Sequence, residues 1–568
     1  MNILLSEFDG DGRQLQAAEA KIELSARSQG SLDLSKVTYS DPATTLPSSS
    51  TEPSTEELKR EFRRNFGQVS RHSAVFFAGT LFTMAATYLV KVYVARVLGP
   101  EQLGIYALGM TLVSLTQLLG VFGLPATAAR YVAVYNGTGR FEELRGFLTR
   151  SVGVVTILNF VLSIALVFVG PWIGRRFYHS AGVGTYMPMF AALVFLGALN
   201  VFYCQILAGF KDIAKRTVIT NFIGSPVVIV FTVLLLALGT GMWGYLAAQV
   251  INALVVVVLL VVAAWKLTPA LARFSFAPLP PLNPEISSFA SAAFGMAVMD
   301  FLVSQADKIL LGFYLNPRLV GIYVLASTLS AFIPMVLQSV NQIFAPVIAD
   351  LHARGQIEVL RRLFQTLTKW VIGSTFPLAL VVIVFSPQMM QIFGADFESG
   401  WPVLVIGALG QLINCGVGSV GYLLLMSGNQ KRLIRVQFVM AAVSVVVNIV
   451  LIPVLGIVGA AIAAAVINVA SNVWNLSEVR KALRISPYNR GYLGLILPVV
   501  VLTAFVAGFR MMTRGITHQW MVIMVALILA YAVFGALALV FALDNDDRMI
   551  AASAWAQIRG GLRKVGVA

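Results

Sequence analysis

Apolar residues run in continuous stretches along most of the chain, with short polar links between them. Each stretch is about 20 residues long, the length a helix needs to cross a bilayer. A transmembrane barrel would show alternating segments of about ten residues instead. The stretches fall near 73–97, 103–126, 150–171, 186–209, 217–239, 243–265, 287–313, 320–346, 370–394, 401–427, 433–453, 456–476, 492–512 and 520–543. This pattern predicts an all-α polytopic membrane protein of about 14 transmembrane helices.

The pattern then repeats. Lys91, Leu98, Pro100 and Gly104-Ile105-Tyr106 recur 217 positions later as Lys308, Leu315, Pro317 and Gly321-Ile322-Tyr323. Gly139, Glu142, Leu144 and Arg145 recur as Gly355, Glu358, Leu360 and Arg361, and Val250-Ile251-Asn252 as Val466-Ile467-Asn468. An even number of helices per repeat makes this a parallel repeat, the plan of transporters whose halves rock about a shared site. The expected organisation is a six-helix bundle over 73–265, a second over 286–476, and two further helices over 492–543.

Composition agrees with this class. The chain is 58% hydrophobic and 12% charged, with a mean hydropathy of +0.81, more apolar surface than a soluble domain can hide. The net charge of +15 is explained by where the cations lie. Links on one side carry Arg140, Arg145, Arg150, Lys211, Lys215, Arg216, Arg354, Arg361, Arg362, Lys431, Arg432 and Arg435, whereas the tight links Gly239-Thr240-Gly241 and Leu455-Gly456-Ile457 carry none. The positive-inside rule therefore places both termini in the cytoplasm. Nucleic acid is not needed as a partner to explain the basicity.

Residues 1–53 are polar, rich in Ser, Thr and Pro near their end, and read as a disordered cytoplasmic tail. No secretory signal is present. Residues 54–72 form an amphipathic interfacial helix: Ser54 and Glu57 make a capping box, and Leu58, Phe62, Phe66 and Val69 share one face. Lys59, Arg60, Arg63 and Arg64 would meet anionic lipid or simply fix topology. Residues 544–568 form a second cytoplasmic tail, in which Asp544, Asp546 and Asp547 read as a solvated helix terminus.

Ionisable residues inside spans are costly and point to function. Lys91 lies in helix 1; Asp300, Asp307 and Lys308 lie in helix 7. Lys91 and Lys308 occupy matched repeat positions, so pseudo-symmetry puts two ammonium groups at equal depth beside a central cleft. That arrangement suits an anion of more than one charge, such as a diphosphate. Gln305, Gln338, Asn341 and Gln342 add hydrogen-bonding groups for a polar cargo. Asp307 cannot face its neighbour Lys308 on a helix, so a partner on another helix, Lys91 for instance, is expected. Asp300 and Asp307 become candidates for coupling or gating. The plainer alternatives are lysines that snorkel to the outer interface and aspartates that serve only as structural partners.

No Walker A segment is present. His72, His179, His352 and His518 make no metal-ligand spacing, so neither metal nor cofactor is called for. Cys204 and Cys415 are out of repeat register and give no support for a disulfide.

Ala95-Arg96-Val97-Leu98-Gly99-Pro100 with Gly104-Ile105-Tyr106, and Ser304-Gln305-Ala306-Asp307-Lys308-Ile309-Leu310-Leu311-Gly312 with Gly321-Ile322-Tyr323, resemble polysaccharide exporters and O-antigen flippases. Leu207-Ala208-Gly209-Phe210-Lys211-Asp212 is similar to that family's helix 4 exit. The family belongs to the multidrug/oligosaccharidyl-lipid/polysaccharide exporter superfamily, so the resemblance implies a MATE-like pair of bundles and not an enzyme. It implies a flippase moving undecaprenyl-diphosphate-linked oligosaccharide across the bacterial inner membrane for O-antigen, capsule or exopolysaccharide. Membrane lipids and polysaccharide polymerase or export machinery would be its partners. Helices 13 and 14 resemble the lipid II flippase branch. Two alternatives stay open: an ion-coupled multidrug antiporter of the same superfamily, and a membrane glycan polymerase, which the short outer links disfavour.

Overall fold

A computed structural model describes residues 55–267, 284–516 and 519–541, with side chains described from residue 88 onward. The two tails (1–53 and 544–568) and Ser54 of the capping box lie outside the described residues. The chain divides into two units, Met1–Val75 and Phe76–Ala568. Of the first, only helical backbone from Thr55 is described.

Among the described residues every regular element is helical. Eleven helices are long and apolar enough to cross a membrane, or up to twelve if one bent pair counts as a single span. Such helices make most of their backbone hydrogen bonds within themselves, as hydrocarbon demands, and leave partnerless groups mainly at their ends. The count is below the runs in the sequence because two helices each hold two runs. Helix α1 (Thr55–Val121) breaks at Gly99, with φ 74° and ψ 176°. The long helix Gln430–Leu483 breaks at Gly456, with φ 58°.

The helices that follow α1 in the first repeat are α2 (Leu124–Gly137), α3 (Phe141–Arg176), α4 (Met187–Gly209), α5 (Ser225–Ala237) and α6 (Gly241–Leu267). The second repeat holds α7 (Pro284–Tyr314), α8 (Pro317–Ser330), α9 (Met335–Ala353), α10 (Ile357–Val384), α11 (Trp401–Val417), α12 (Val420–Met426) and α13 (Gln430–Leu483). A hairpin of α14 (Ile496–Met512) and α15 (Gln519–Phe541) packs on α10 through Leu380, Phe385, Leu502, Val522 and Phe534.

Two stretches that read as single runs are divided. The run near 320–346 becomes α8 and α9, bent by 52°, with Pro334 at the N-cap of α9. The run near 401–427 is cut by Gly418, whose φ of 77° suits a residue without a Cβ.

The buried core is forked. One cluster draws on both repeats: Ala95, Ile105, Leu108, Phe190 and Leu246 from the first pack with Leu311, Val320, Tyr323, Phe393 and Leu404 from the second. This shared cluster lies at the end where Pro100 and Pro317 sit. At the opposite end, where the basic links lie, the two larger buried clusters among the described residues are separate. One is built on Tyr131, Phe147, Phe202 and Leu260, the other on Phe344, Phe364, Leu423 and Val479. Helix α7 crosses between the repeats. Near its start, Phe294 stacks on Phe122 at 4.5 Å, and further along it packs on α13.

Candidate functional site

Local sequence builds the α7–α8 hairpin. Asn316 caps α8 by accepting from Leu319 N at 3.0 Å, and Pro317 occupies the first turn, where its missing N–H costs nothing. The hairpin sets Asp307 and Tyr323 side by side, since each stands eight positions from Leu315. The Tyr323 hydroxyl donates to Asp307 Oδ2 at 2.6 Å, and Lys308 N donates to Asp307 Oδ1 at 2.8 Å. The expected partner of Asp307, Lys91, is thus replaced by Tyr323. Distance along the chain from the turn was the signal that could have found the pair.

Lys308 turns away from Asp307 on its own helix. Its Nζ donates to Gln305 Oε1 at 2.8 Å and to the Ser304 carbonyl at 3.4 Å. Asp307, Lys308, Ser304 and Tyr323 line a cavity of about 320 Å³. Gln411 and Asn468, both missed in the sequence, complete its polar wall. Asn468 accepts from Asn472 Nδ2 at 2.8 Å. Small residues Gly407, Gly410, Ala461, Ala464 and Ala465 leave the space open.

The first repeat is built otherwise. Val90 stands where the second repeat has Asp307. The ring of Tyr106, counterpart of Tyr323, lies 4.9 Å from that of Tyr245, whose hydroxyl is hydrogen-bonded to Tyr106 and Gln249. Alanines hold the places of Tyr245 and Gln249 in the second repeat, whether the helices are matched by Gly241 on Gly456 or by Val250 on Val466. The polar cavity therefore exists where one repeat has lost two bulky side chains and gained a carboxylate.

The other expected residues are not part of this cavity. Lys91, Asp300, Gln338 and Gln342 are exposed, and Asn341 is half-buried. Gln338 and Gln342 lie one turn apart on α9, sharing a face. Asn341 Oδ1 is buried without a hydrogen-bond partner. At the forked end the Arg130 guanidinium lies 4.6 Å over the ring of Phe289, a cation–π contact. Among the described residues no group of three His, Cys, Asp or Glu is arranged to hold a metal ion. Cys204 and Cys415 are both buried free thiols.

An internal repeat, a forked core and a polar cavity inside the spans define a membrane transporter fold. The same fold is found in solved structures. The lipid II flippase MurJ in an inward closed conformation matches with a TM-score of 0.62, covering 82% of this chain and 98% of that one at 14% identity. An inward-facing multidrug resistance MATE transporter of the MOP superfamily matches with a TM-score of 0.54, covering 71% and 94% at 15% identity. The chain belongs to the polysaccharide biosynthesis protein family, whose model matches residues 69–352. A relative, the probable flippase AglR of Haloferax volcanii, is 22% identical over 432 residues, covering 74% of this chain and 85% of AglR.

Proposed function

We propose that this protein is a flippase that moves undecaprenyl-diphosphate-linked oligosaccharide across the bacterial inner membrane by alternating access, supplying O-antigen, capsule or exopolysaccharide. The forked core carries this reading: one end of the molecule is sealed by both repeats while the other holds two separate cores. The basic links cluster at the forked end, so the positive-inside rule turns the fork, and both termini, toward the cytoplasm. There the cleft can take up a cargo made inside. The two bundles are 73–265 and 286–476, with 492–543 added alongside.

Exposed polar groups inside spans belong on a wet path rather than against hydrocarbon. Lys91 and Lys308 meet the diphosphate in this reading. Gln305, Gln338, Asn341 and Gln342 give hydrogen bonds to the glycan. Asp307, with Asp300 nearer the middle of α7, couples the cycle to an ion or proton. The protein acts as a transporter alongside polymerase or export machinery, and not as an enzyme.

The test is the lipid fraction of a deletion strain, read by mass spectrometry. A build-up of diphosphate-linked oligosaccharide with loss of one surface polymer is expected. An unchanged lipid pool, with no second flippase in the strain, would overturn the reading. The Asp307–Tyr323 pair inside a membrane cavity favours one other reading, an ion-coupled multidrug antiporter. That reading requires drug resistance on expression and an intact surface polymer on deletion.

A further inference from the structure

The sealed end closes on a glycine pair. Gly104 of α1 and Gly321 of α8 occupy equivalent repeat positions, as do Pro100 and Pro317. All four are buried. A methyl group on Gly104 would overlap the carbonyl oxygen of Pro317, and one on Gly321 would overlap the carbonyl oxygen of Pro100. The same methyl groups would stand 3.1 Å from Gly321 N and 2.8 Å from Gly104 N respectively. The two helices thus cross backbone to backbone, glycine against glycine, about the pseudo-twofold axis of the repeat. Every obstructing atom is backbone, so no rotamer change could make room.

Neighbouring contacts between the repeats depend on this approach. Gly312 of α7 receives Leu108 of α1 and Tyr178, with no space for a Cβ. Arg96 Nε donates to the carbonyl of Ile392 at 2.7 Å. Tyr88 meets Phe332 and Phe393 edge to face at 5.7 and 5.9 Å. Small residues let helices in a bilayer approach closely enough for dispersion and Cα–H···O contacts to hold them. These contacts fall off within a fraction of an ångström, so they fail together once the crossing is spread.

We propose that Gly104 and Gly321 form the latch of the outer gate: their lack of side chains is what allows this end to close, and the crossing parts when the cargo is released. The proposal rests on the transporter reading. Closure and opening at this end then differ by one symmetric contact, which either repeat can disrupt.

The experiment measures the gate directly. Spin labels are placed at Arg176→Cys and Ser399→Cys, both exposed at the sealed end, in a Cys204→Ala/Cys415→Ala background. Their separation is read by double electron–electron resonance in nanodiscs. Gly104→Ala and Gly321→Ala are each expected to shift the distribution to longer distances, and the double variant furthest. Gly153→Ala, where a methyl group meets nothing within 4 Å, is expected to leave it unchanged. Distances that stay the same in folded Gly104→Ala and Gly321→Ala proteins would make the crossing a fixed fulcrum and overturn the latch. A second measurement does not depend on the alanine variants folding. A short thiol cross-link between Arg96→Cys and Ile392→Cys is expected to abolish transport, and transport that continues would overturn the proposal. The distance readout is independent of cargo, so a shifted gate with an unaltered surface polymer would sink the flippase reading and leave the latch standing.

Discussion

Asp307 and Tyr323, on adjacent helices of the second repeat, are joined by a hydrogen bond of 2.6 Å between the phenol and the carboxylate. Their counterparts in the first repeat are Val90 and Tyr106, and Tyr106 turns to Tyr245 instead. One repeat is therefore plugged by aromatic side chains, while the other keeps a carboxylate facing a cavity. Two like-built halves thus differ at this pair, and among the described residues the cavity carboxylate belongs to the second repeat.

Removing the phenol should separate positioning from cargo contact. A hydrogen bond to a charged group contributes about 1.5–3 kcal/mol, so Tyr323→Phe is expected to slow transport roughly tenfold or more. Asp307→Asn retains an acceptor for Tyr323 but cannot ionise, and should abolish dependence on the coupling ion. Initial rates in proteoliposomes, with and without an ion gradient, check both. Ion dependence that survives Asp307→Asn would remove Asp307 from coupling.

Filling the cavity is a gentler probe. Ala461→Tyr restores a side chain of the kind the first repeat carries. Small-to-large changes in packed cores typically cost about 1–3 kcal/mol. A cavity of about 320 Å³ has space for the ring, so the melting temperature should stay near that of the parent. Transport should nonetheless fall sharply. A normal rate with the cavity filled would mean that the space plays no part in the cycle.

The paired lysines are expected to act together. Lys91→Gln and Lys308→Gln should each weaken export, and the double variant should lose it in a complemented deletion strain. Surface polymer is measured against protein level by immunoblot. Full export from the double variant at normal level would remove both lysines from the cargo site.

Backbone geometry predicts a contrast in stability. Gly99, with φ 74° and ψ 176°, sits in a region open almost only to glycine, so Gly99→Ala should cost on the order of 1–3 kcal/mol. Arg318 and Asp396 form an ion pair at 2.7 Å with both side chains more than half exposed. Arg318→Ala should change stability by less than about 1 kcal/mol. Thermal unfolding followed by fluorescence-detected size exclusion compares the two, and equal losses would contradict one assignment or the other.

Much of this architecture is legible before any coordinates. Burial in a bilayer needs long apolar runs, and these fall where the helices are. The repeat of Gly-Ile-Tyr, with lysines in register, marks the two halves. The breaks in α1 and near Gly456 are foreshadowed by glycine, although helix continuity across them is not. The partner of Asp307 was missed because adjacency on a helix only excludes Lys308. It does not choose among residues on other helices. Gln411 and Asn468 were missed because one amide in an apolar helix carries no sign of what it faces.

The chain's own pattern was sufficient to establish the membrane class, the parallel repeat and the basic end, because hydropathy and positive charge act on each segment independently of its neighbours. Which end is sealed, which side chains line the cavity and that Gly104 meets Gly321 came only from the packed molecule. Those depend on side-chain fit between segments some two hundred positions apart, where a single methyl group decides whether two backbones can touch.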